Sequence, residues 1–452
     1  MAAPASVRPP AADAAPLRHD YLSWGRYPRV PHRRVQRLAW QDQLPEMLGA
    51  ASPGSLLAYG LGRSYGDVCL NAGRDLLDCS SCNRILEADW QTGRLRVEAG
   101  LSLADLLEVI VPRGWFLPVT PGTKFATVGG AVANDVHGKN HHRAGTFGCH
   151  VSRLLLHRSD RGALVCSPTE NADLFRATIG GLGLTGVIAW VELHLKAARG
   201  NALDVETLRF QGLDEFLKLS EQSDRDFEYT VAWIDCFAGA RARGLIYRGN
   251  HAGDSVPHGD RQLPSVPCAA PDWLLGPSAV RLFNWAYSSW HGMQPKGSRT
   301  HYDPFFYPLD AVPRWNLLYG KRGLVQYQCV LPPSEVDTLA RILSAISASR
   351  QGSFLAVLKT FGTRPSPGVL SFPRPGLTLA LDFPLRGAAT ERLLAALDDI
   401  VLRAGGALYP AKDARMPAGV FQASYPQWRE FLPFVDAKCS SSFWRRVTGQ
   451  EA

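Results

Sequence analysis

The sequence predicts an α+β fold on three observations. Through the first half, short apolar runs alternate with glycine clusters, as strands joined by tight turns would. From residue 324 the pattern changes to a β-α-β-β-α-β order, that of a ferredoxin-like sheet with its helices on one face. A composition of 46% hydrophobic and 20% charged residues with 42 glycines excludes collagen, coiled coil and wholesale disorder.

Taken in order, Ser55–Gly60 reads as a strand entering the glycine-rich turn Leu61–Gly66. Arg84–Gly100 reads as a hairpin turning at Gln91-Thr92-Gly93, with Leu95, Val97 and Ala99 alternating on its second arm. Leu103, Leu106, Leu107, Ile110 and Val111 share a helical face, and Ser102 is the N-cap. The small-residue stretch Thr127–Gly138, a short helix Asn171–Thr178 and a strand Gly186–Leu195 follow. In the second half, strand Leu324–Leu331 leads to helix Val336–Ser347, then strands Phe354–Gly362 and Leu377–Pro384. A second helix buries Leu393, Leu394, Leu397, Ile400 and Val401, stops at Gly405-Gly406, and gives way to strand Ala407–Tyr409. No fixed-period repeat is visible, and 250–300, full of Pro, Gly and Trp, yields no assignment.

A chain of 452 residues has room for two or three domains. The net charge of +8 is modest and spread along the chain, so no nucleic-acid partner is expected. Met1–Leu17 is rich in Ala and Pro and lacks the layout of a secretory signal, so residues 1–20 are expected to form a disordered tail. Nine cysteines, an odd number, do not indicate a disulfide framework. The expected location is therefore the cytoplasm, with contact at the inner face of a membrane left open.

Three segments bring backbone close to a partner: Gly60-Leu61-Gly62-Arg63-Ser64-Tyr65-Gly66-Asp67, then Pro121-Gly122-Thr123 with Thr127-Val128-Gly129-Gly130, then Gly180–Gly186. Any one alone is equally a tight turn. Three of them, each carrying Thr or Ser among its glycines, favour amides converging on a diphosphate, with Arg63 and Ser64 adding charge and a hydroxyl. Gly181, Gly183 and Gly186 also match G-x-G-x-x-G, but a helix precedes them and a strand follows, the reverse of a dinucleotide fingerprint. The P-loop pattern is absent. His137-Gly138-Lys139-Asn140-His141-His142 and Cys79-x-x-Cys82 lack the companion ligands a metal requires, so no metal is expected.

Gly60–Asp67, Pro121–Gly130, Asn134–His142 and Gly180–Gly186 together resemble the FAD-binding domain of the vanillyl-alcohol oxidase superfamily. The His-Gly-Lys-Asn-His-His string is similar to the decaprenylphosphoryl-β-D-ribose 2-oxidase group. So are Phe306-Tyr307-Pro308-Leu309-Asp310, Gln326-Tyr327-Gln328, Lys359-Thr360-Phe361-Gly362, Asp382-Phe383-Pro384 and Tyr409-Pro410-Ala411-Lys412-Asp413. The resemblance runs from about Leu22 to about Arg446. It implies a two-part PCMH-type FAD-binding domain (21–198, completed by a returning 408–452) around an inserted ferredoxin-like substrate domain (199–407).

It further implies non-covalent FAD held by Ala58, Tyr59, Gly60, Leu61, Gly62, Arg63, Ser64, Tyr65, Gly66, Asp67 and Val68, and by Gly122 and Thr123. Thr127, Val128, Gly129, Gly130, Asn134, Asp135, Val136, His137, Gly138, Val187, Ile188 and Tyr409 complete that set. Implied substrate contacts are Lys139, Gln326, Gln328, Lys359, Asp382 and Lys412, and implied catalytic residues are Lys412, His137 and Tyr307. The implied reaction oxidises a secondary hydroxyl of a polyprenyl-phosphoryl pentofuranose, ribose 2-OH to ketone, and a short-chain reductase partner completes the epimerisation. Two departures stand out: Ala380 occupies a position where some relatives carry cysteine, and Val435–Trp444 lacks an Asp-Met pair.

Side chains cannot accept hydride, so the flavin must. A desolvated lysine loses pKa and can bond or relay the hydroxyl proton, which points to Lys412; the alternative is a solvated lysine paired with Asp413. Two further readings stand beside the main one: oxidation of a soluble sugar or other small-molecule alcohol, and a flavin-binding partner subunit without turnover. Trp273–Trp290 is read either as core or as a face for a lipid tail or bilayer.

Overall fold

The structure is a computed structural model and describes residues 18, 20–257, 263–293 and 296–449. Most of the expected tail lies outside the described residues; Arg18, within it, bridges to His32.

The first half is built on two small sheets and a two-stranded pairing of Trp115–Phe116 with Lys196–Ala197. In one, strand Asp75–Asp78 lies between Arg34–Arg37 and Leu56–Tyr59, all parallel. The other has five antiparallel strands, in the order Ile85–Asp89, Arg94–Glu98, Val187–His194, Val151–Arg158, Gly162–Cys166. The hairpin and the helix Leu103–Ile110 form as expected, and Ser102 caps that helix by accepting the Asp105 N–H at 3.0 Å. The chain's end returns here: Cys439 pairs with Leu56 in a β-bridge, and Arg446 of helix Ser442–Thr448 donates to both Asp67 oxygens from Nη2 and Nε, at 2.6 and 3.0 Å.

The remainder is one eight-stranded antiparallel sheet. Its first part comprises β1 (Ala202–Gln211), α1 (Leu213–Asp226), β2 (Tyr229–Ile234), β3 (Arg243–His251), α2 (Pro277–Met293) and β4 (Gly297–His301). Its second part comprises β5 (Leu324–Leu331), α3 (Val336–Ser349), β6 (Ala356–Phe361), β7 (Gly376–Pro384), α4 (Ala388–Arg403) and β8 (Ala407–Leu408). The strand order is β4-β1-β3-β2-β6-β7-β5-β8. The expected ferredoxin-like unit is the second part. The first part repeats the same β-α-β-β-α-β order along the chain, with its strands mirrored across the sheet, and its second helix falls within 250–300, where no assignment was legible. The repeat is one of topology without sequence period. Along the sheet the halves join at β2 and β6, through Ala232↔Leu358 and Trp233↔Val357, and beside this ladder Ser347 of α3 donates to the Phe237 carbonyl and Trp233 Nε1 to the Phe354 carbonyl, both at 3.0 Å.

Side chains alternate across each strand, so the sheet has two distinct faces. On one, Val325, Tyr327, Cys329, Leu379, Leu381, Leu358 and Ile246 meet Phe216 of α1, Leu339 and Ile342 of α3, and Leu394 and Leu397 of α4 in a single core. Each such side chain contributes about 1.5–3 kcal/mol by leaving water. The opposite face carries Gln326, Gln328, Thr378 and Asp382, all buried yet polar, beside the half-buried Lys359. Buried polar groups in such number mark a site rather than a packing surface. Helix α2 departs from the one-face expectation by lying on this polar side, where Tyr287 meets Trp233 and hydrogen-bonds Tyr247 at 2.8 Å.

Candidate active site

The three glycine segments converge on one cavity of about 340 Å³, and the polar sheet face closes it from the other side. Gly60, Gly62, Arg63 and Ser64 come from the turn after Leu56–Tyr59; Gly122, Thr123, Thr127, Gly129 and Gly130 from the second segment; Leu182, Gly183 and Gly186 from the third. Thr127 caps the helix Val128–Ala133 by accepting the Gly130 N–H at 3.1 Å. Its hydroxyl lies where a side chain on Gly60 would begin, 2.6 Å from that Cβ, so glycine alone lets the two segments meet. Ala58, Tyr59, Leu61, Tyr65, Val68, Asn134, Val136, His137, Gly138, Ile188 and Tyr409 complete this wall.

Five residues of the expected cofactor set are not on the wall. Gly66 presses against the Asp413 carbonyl, and Asp67 is taken by Arg446. Val128 and Val187 point into the core. Asp135 is buried among the Ser366 and Ser371 hydroxyls and the Gly148 N–H. These residues hold the wall in place and do not face the cavity.

The cavity carries unpaired polarity that an FAD nucleotide would use. Arg63 is wedged between the rings of Trp24 and Phe125, at 4.3 and 5.2 Å, and its Nε has no hydrogen-bond partner. Asn134 donates to the Gly130 carbonyl at 2.9 Å while its Oδ1 is buried without a partner. A desolvated guanidinium among uncovered glycine amides suits a diphosphate, and a free amide oxygen suits a ring N–H. The donor set fits FAD.

Three lysines also line the cavity, Lys139, Lys359 and Lys412. Burial lowers all three pKa values, Lys139 to about 8, and the charges of Lys139 and Lys412 push Lys359 further down. Lys359 lies 2.7 Å from His137 Nδ1 and donates to the Gly138 carbonyl at 2.9 Å; the Gln328 amide lies 3.0 Å from His137 Nε2. Burial, then the charge on Lys359, holds His137 neutral. Lys412 Nζ sits 4.1 Å above the Tyr65 ring. It is enclosed rather than solvated, and burial lowers its pKa against the opposing pull of Asp382.

Asp382 stands one layer back. Its Oδ1 accepts from Gln326 at 2.5 Å, its Oδ2 has no partner, and burial raises its pKa. Tyr307 is also behind the wall: it is buried among apolar side chains, and its hydroxyl bonds Thr120 Oγ1 at 2.6 Å. A Tyr307→Phe variant is expected to lose about 1 kcal/mol of stability and to keep its turnover. Thermal melts and steady-state rates check this, and a collapse in kcat would place that hydroxyl in the reaction.

The sequence reading missed Trp24, Thr120, Val231, Trp315, Leu355, Val357 and Thr378, all on the cavity wall. Asp310, which also lines it and accepts the Lys124 N–H at 2.8 Å, lay within a quoted string but was given no role. Val231, Leu355 and Val357 look like ordinary strand residues, and only the strand's facing, set by tertiary packing, gives them to the cavity. Among the described residues no cluster of three potential metal-ligating side chains exists, and no helix is long and apolar enough to cross a membrane.

Residues 41–165 match the FAD binding domain family. The chain is 35% identical over 391 residues to decaprenylphosphoryl-beta-D-ribose oxidase of Mycolicibacterium smegmatis, covering 83% of this chain and 84% of that one. It is 32% identical to an uncharacterized protein in the mprA 5' region of Streptomyces coelicolor, covering 74% of this chain and 96% of the relative. L-gulonolactone oxidase of Mus musculus is 32% identical over a shorter stretch, 36% of this chain and 37% of its own. Sequence match, glycine-lined cavity and unpaired donors agree: the chain is an FAD-dependent oxidoreductase and belongs to the vanillyl-alcohol oxidase superfamily.

Proposed function

We propose that this enzyme oxidises the 2-hydroxyl of a pentofuranose carried on a polyprenyl phosphate, producing a ketone that a separate short-chain reductase reduces to the epimer. The observation that carries this reading is the gathering of Lys139, Lys359 and Lys412 on the lining of the cavity that the glycine cradles share. A second anionic group besides the cofactor's diphosphate would satisfy these charges, and a sugar phosphate supplies one. The name of the Mycolicibacterium smegmatis relative supports the sugar and its carrier.

Bound FAD supplies the hydride acceptor. The side chains do the rest. Lys412 Nζ, its pKa lowered by burial to about 8, takes the hydroxyl proton in its neutral form as the C–H bond is broken. Gln326 orients towards the cavity because Asp382 holds its amide, and Gln328 is fixed beside His137. Lys139 and Lys359 hold the phosphate. The carrier-bound sugar is met at the cytoplasmic surface of a membrane.

The holoenzyme's visible spectrum should bleach anaerobically with a polyprenyl-phosphoryl pentofuranose. Bleaching only with free sugars would replace the substrate, and no bleaching with any alcohol would remove the activity. A Lys139→Gln variant is expected to raise KM for the phosphoryl substrate by about 10–100-fold, the loss of a charge-assisted hydrogen bond, with kcat nearly unchanged. An unchanged KM would place the phosphate elsewhere.

A further inference from the structure

Helix α2 is built inside out. Its buried side carries Val280, Asn284, Tyr287 and His291: Asn284 donates to Asp235 at 2.8 Å, and the rings of Tyr287 and His291 pack together beside Tyr247. Its solvent side carries Leu282, Phe283, Trp285 and Trp290, exposed by 64, 45, 65 and 62%, and the preceding turn adds Trp273 at 75%. A surface helix ordinarily reverses this arrangement, and a contiguous exposed face of large apolar side chains signals an interaction.

Charge says what covers it. Residues 273–302 and 311–334 contain no Asp or Glu. Arg281 is exposed on the same helix, Arg314 directly precedes the segment Trp315–Tyr319, and Arg26 and Arg29 donate to the Gly320 and Lys321 carbonyls just after it. Basic residues around exposed tryptophans suit an anionic bilayer, where indole sits at the headgroup level and arginine meets lipid phosphate. The face also adjoins the cavity. Leu275, next to Trp273, packs in one cluster with Tyr65 and Trp315, and both of those line the cavity. Phe283 packs on Phe354, the neighbour of the cavity-lining Leu355.

We propose that the outer face of α2 and the turn at Trp273 seat this enzyme on an anionic membrane surface, beside the cavity that receives a lipid-linked sugar. This rests on the substrate reading above and adds where the carrier's lipid stays while its sugar reacts.

The test uses full-length holoenzyme and vesicles of equal parts phosphatidylglycerol and phosphatidylcholine. Wild-type enzyme should co-sediment with them, bind pure phosphatidylcholine vesicles weakly, and be released by high salt. The double variant Trp285→Ser/Trp290→Ser should lose binding by about tenfold or more while keeping its flavin spectrum and melting temperature. It should oxidise a short-tailed phosphoryl sugar in detergent at the wild-type rate and fail only on vesicle-borne substrate. Equal vesicle binding by wild type and variant, or none by either, would overturn the proposal. So would a wild-type dimer that the variant abolishes, which would make this face a protein interface. If the wild type binds vesicles yet oxidises no phosphoryl sugar, the substrate reading fails and the membrane seat stands.

Discussion

Replacing Lys412 by alanine is expected to lower kcat by about 10²–10⁴-fold while the purified protein stays yellow. The two outcomes separate because Lys412 comes from the returning segment Pro410–Lys412, whereas the unpaired polar groups that suit the nucleotide are on the glycine segments and on Arg63 and Asn134. The pH profile supplies a second readout. Burial lowers the Lys412 pKa to about 8, and only the neutral amine accepts a proton. Wild-type kcat should therefore fall as pH drops below about 8, by roughly tenfold per unit once the amine is mostly protonated, and level off above it. The residual activity of Lys412→Ala should lack that limb. A wild-type rate that rises as the lysine becomes charged, or a fully active alanine variant, would remove Lys412 from proton transfer.

Gly66→Ala is expected to cost about 3 kcal/mol or more, to lower Tm by roughly 5–10 °C, and to weaken flavin retention. A Cβ at Gly66 would lie 1.6 Å from the Asp413 carbonyl oxygen and 2.7 Å from the Ala414 Cα, both backbone atoms that cannot rotate away. The two chain segments must part, and their contact is the one that positions Lys412. The Tyr65 N–H donates to the Ala411 carbonyl at 2.9 Å, and Lys412 packs over the Tyr65 ring beside it. The variant should thus lose more kcat than stability alone explains, as thermal melts and rates on folded protein measure. Unchanged melting and kcat would show that the segments are held apart by more than this glycine.

Local signals made much of the second half legible. Strand Leu324–Leu331 appears as expected, and helix Val336–Ser349 exceeds its expected end by one half-turn. The first sheet repeat was opaque for a physical reason. Its second helix hides Asn284, Tyr287 and His291 and exposes tryptophans, so its apolar pattern points the wrong way for a core helix. At the site, glycine spacing revealed the three cradle segments because backbone approach requires glycine whatever the surroundings. The second layer was invisible. Asp382 and Tyr307 sit in strings that look like contact residues, yet Gln326 and Thr120 stand between them and the cavity. Whether a polar side chain fronts a cavity or braces one that does depends on tertiary facing, which a linear string does not carry.

The seam between the two sheet halves has its own consequence. Only two residue pairs stitch β2 to β6, and Val231 and Val357, which border the stitch, help form the cavity floor. The core on the other face runs across both halves and does not include these two valines, so exchanges at Val231 and Val357 reshape the floor without emptying that core. Such a junction gives the lineage a place to retune the cavity's shape while Lys412 and the glycine cradle stay as they are.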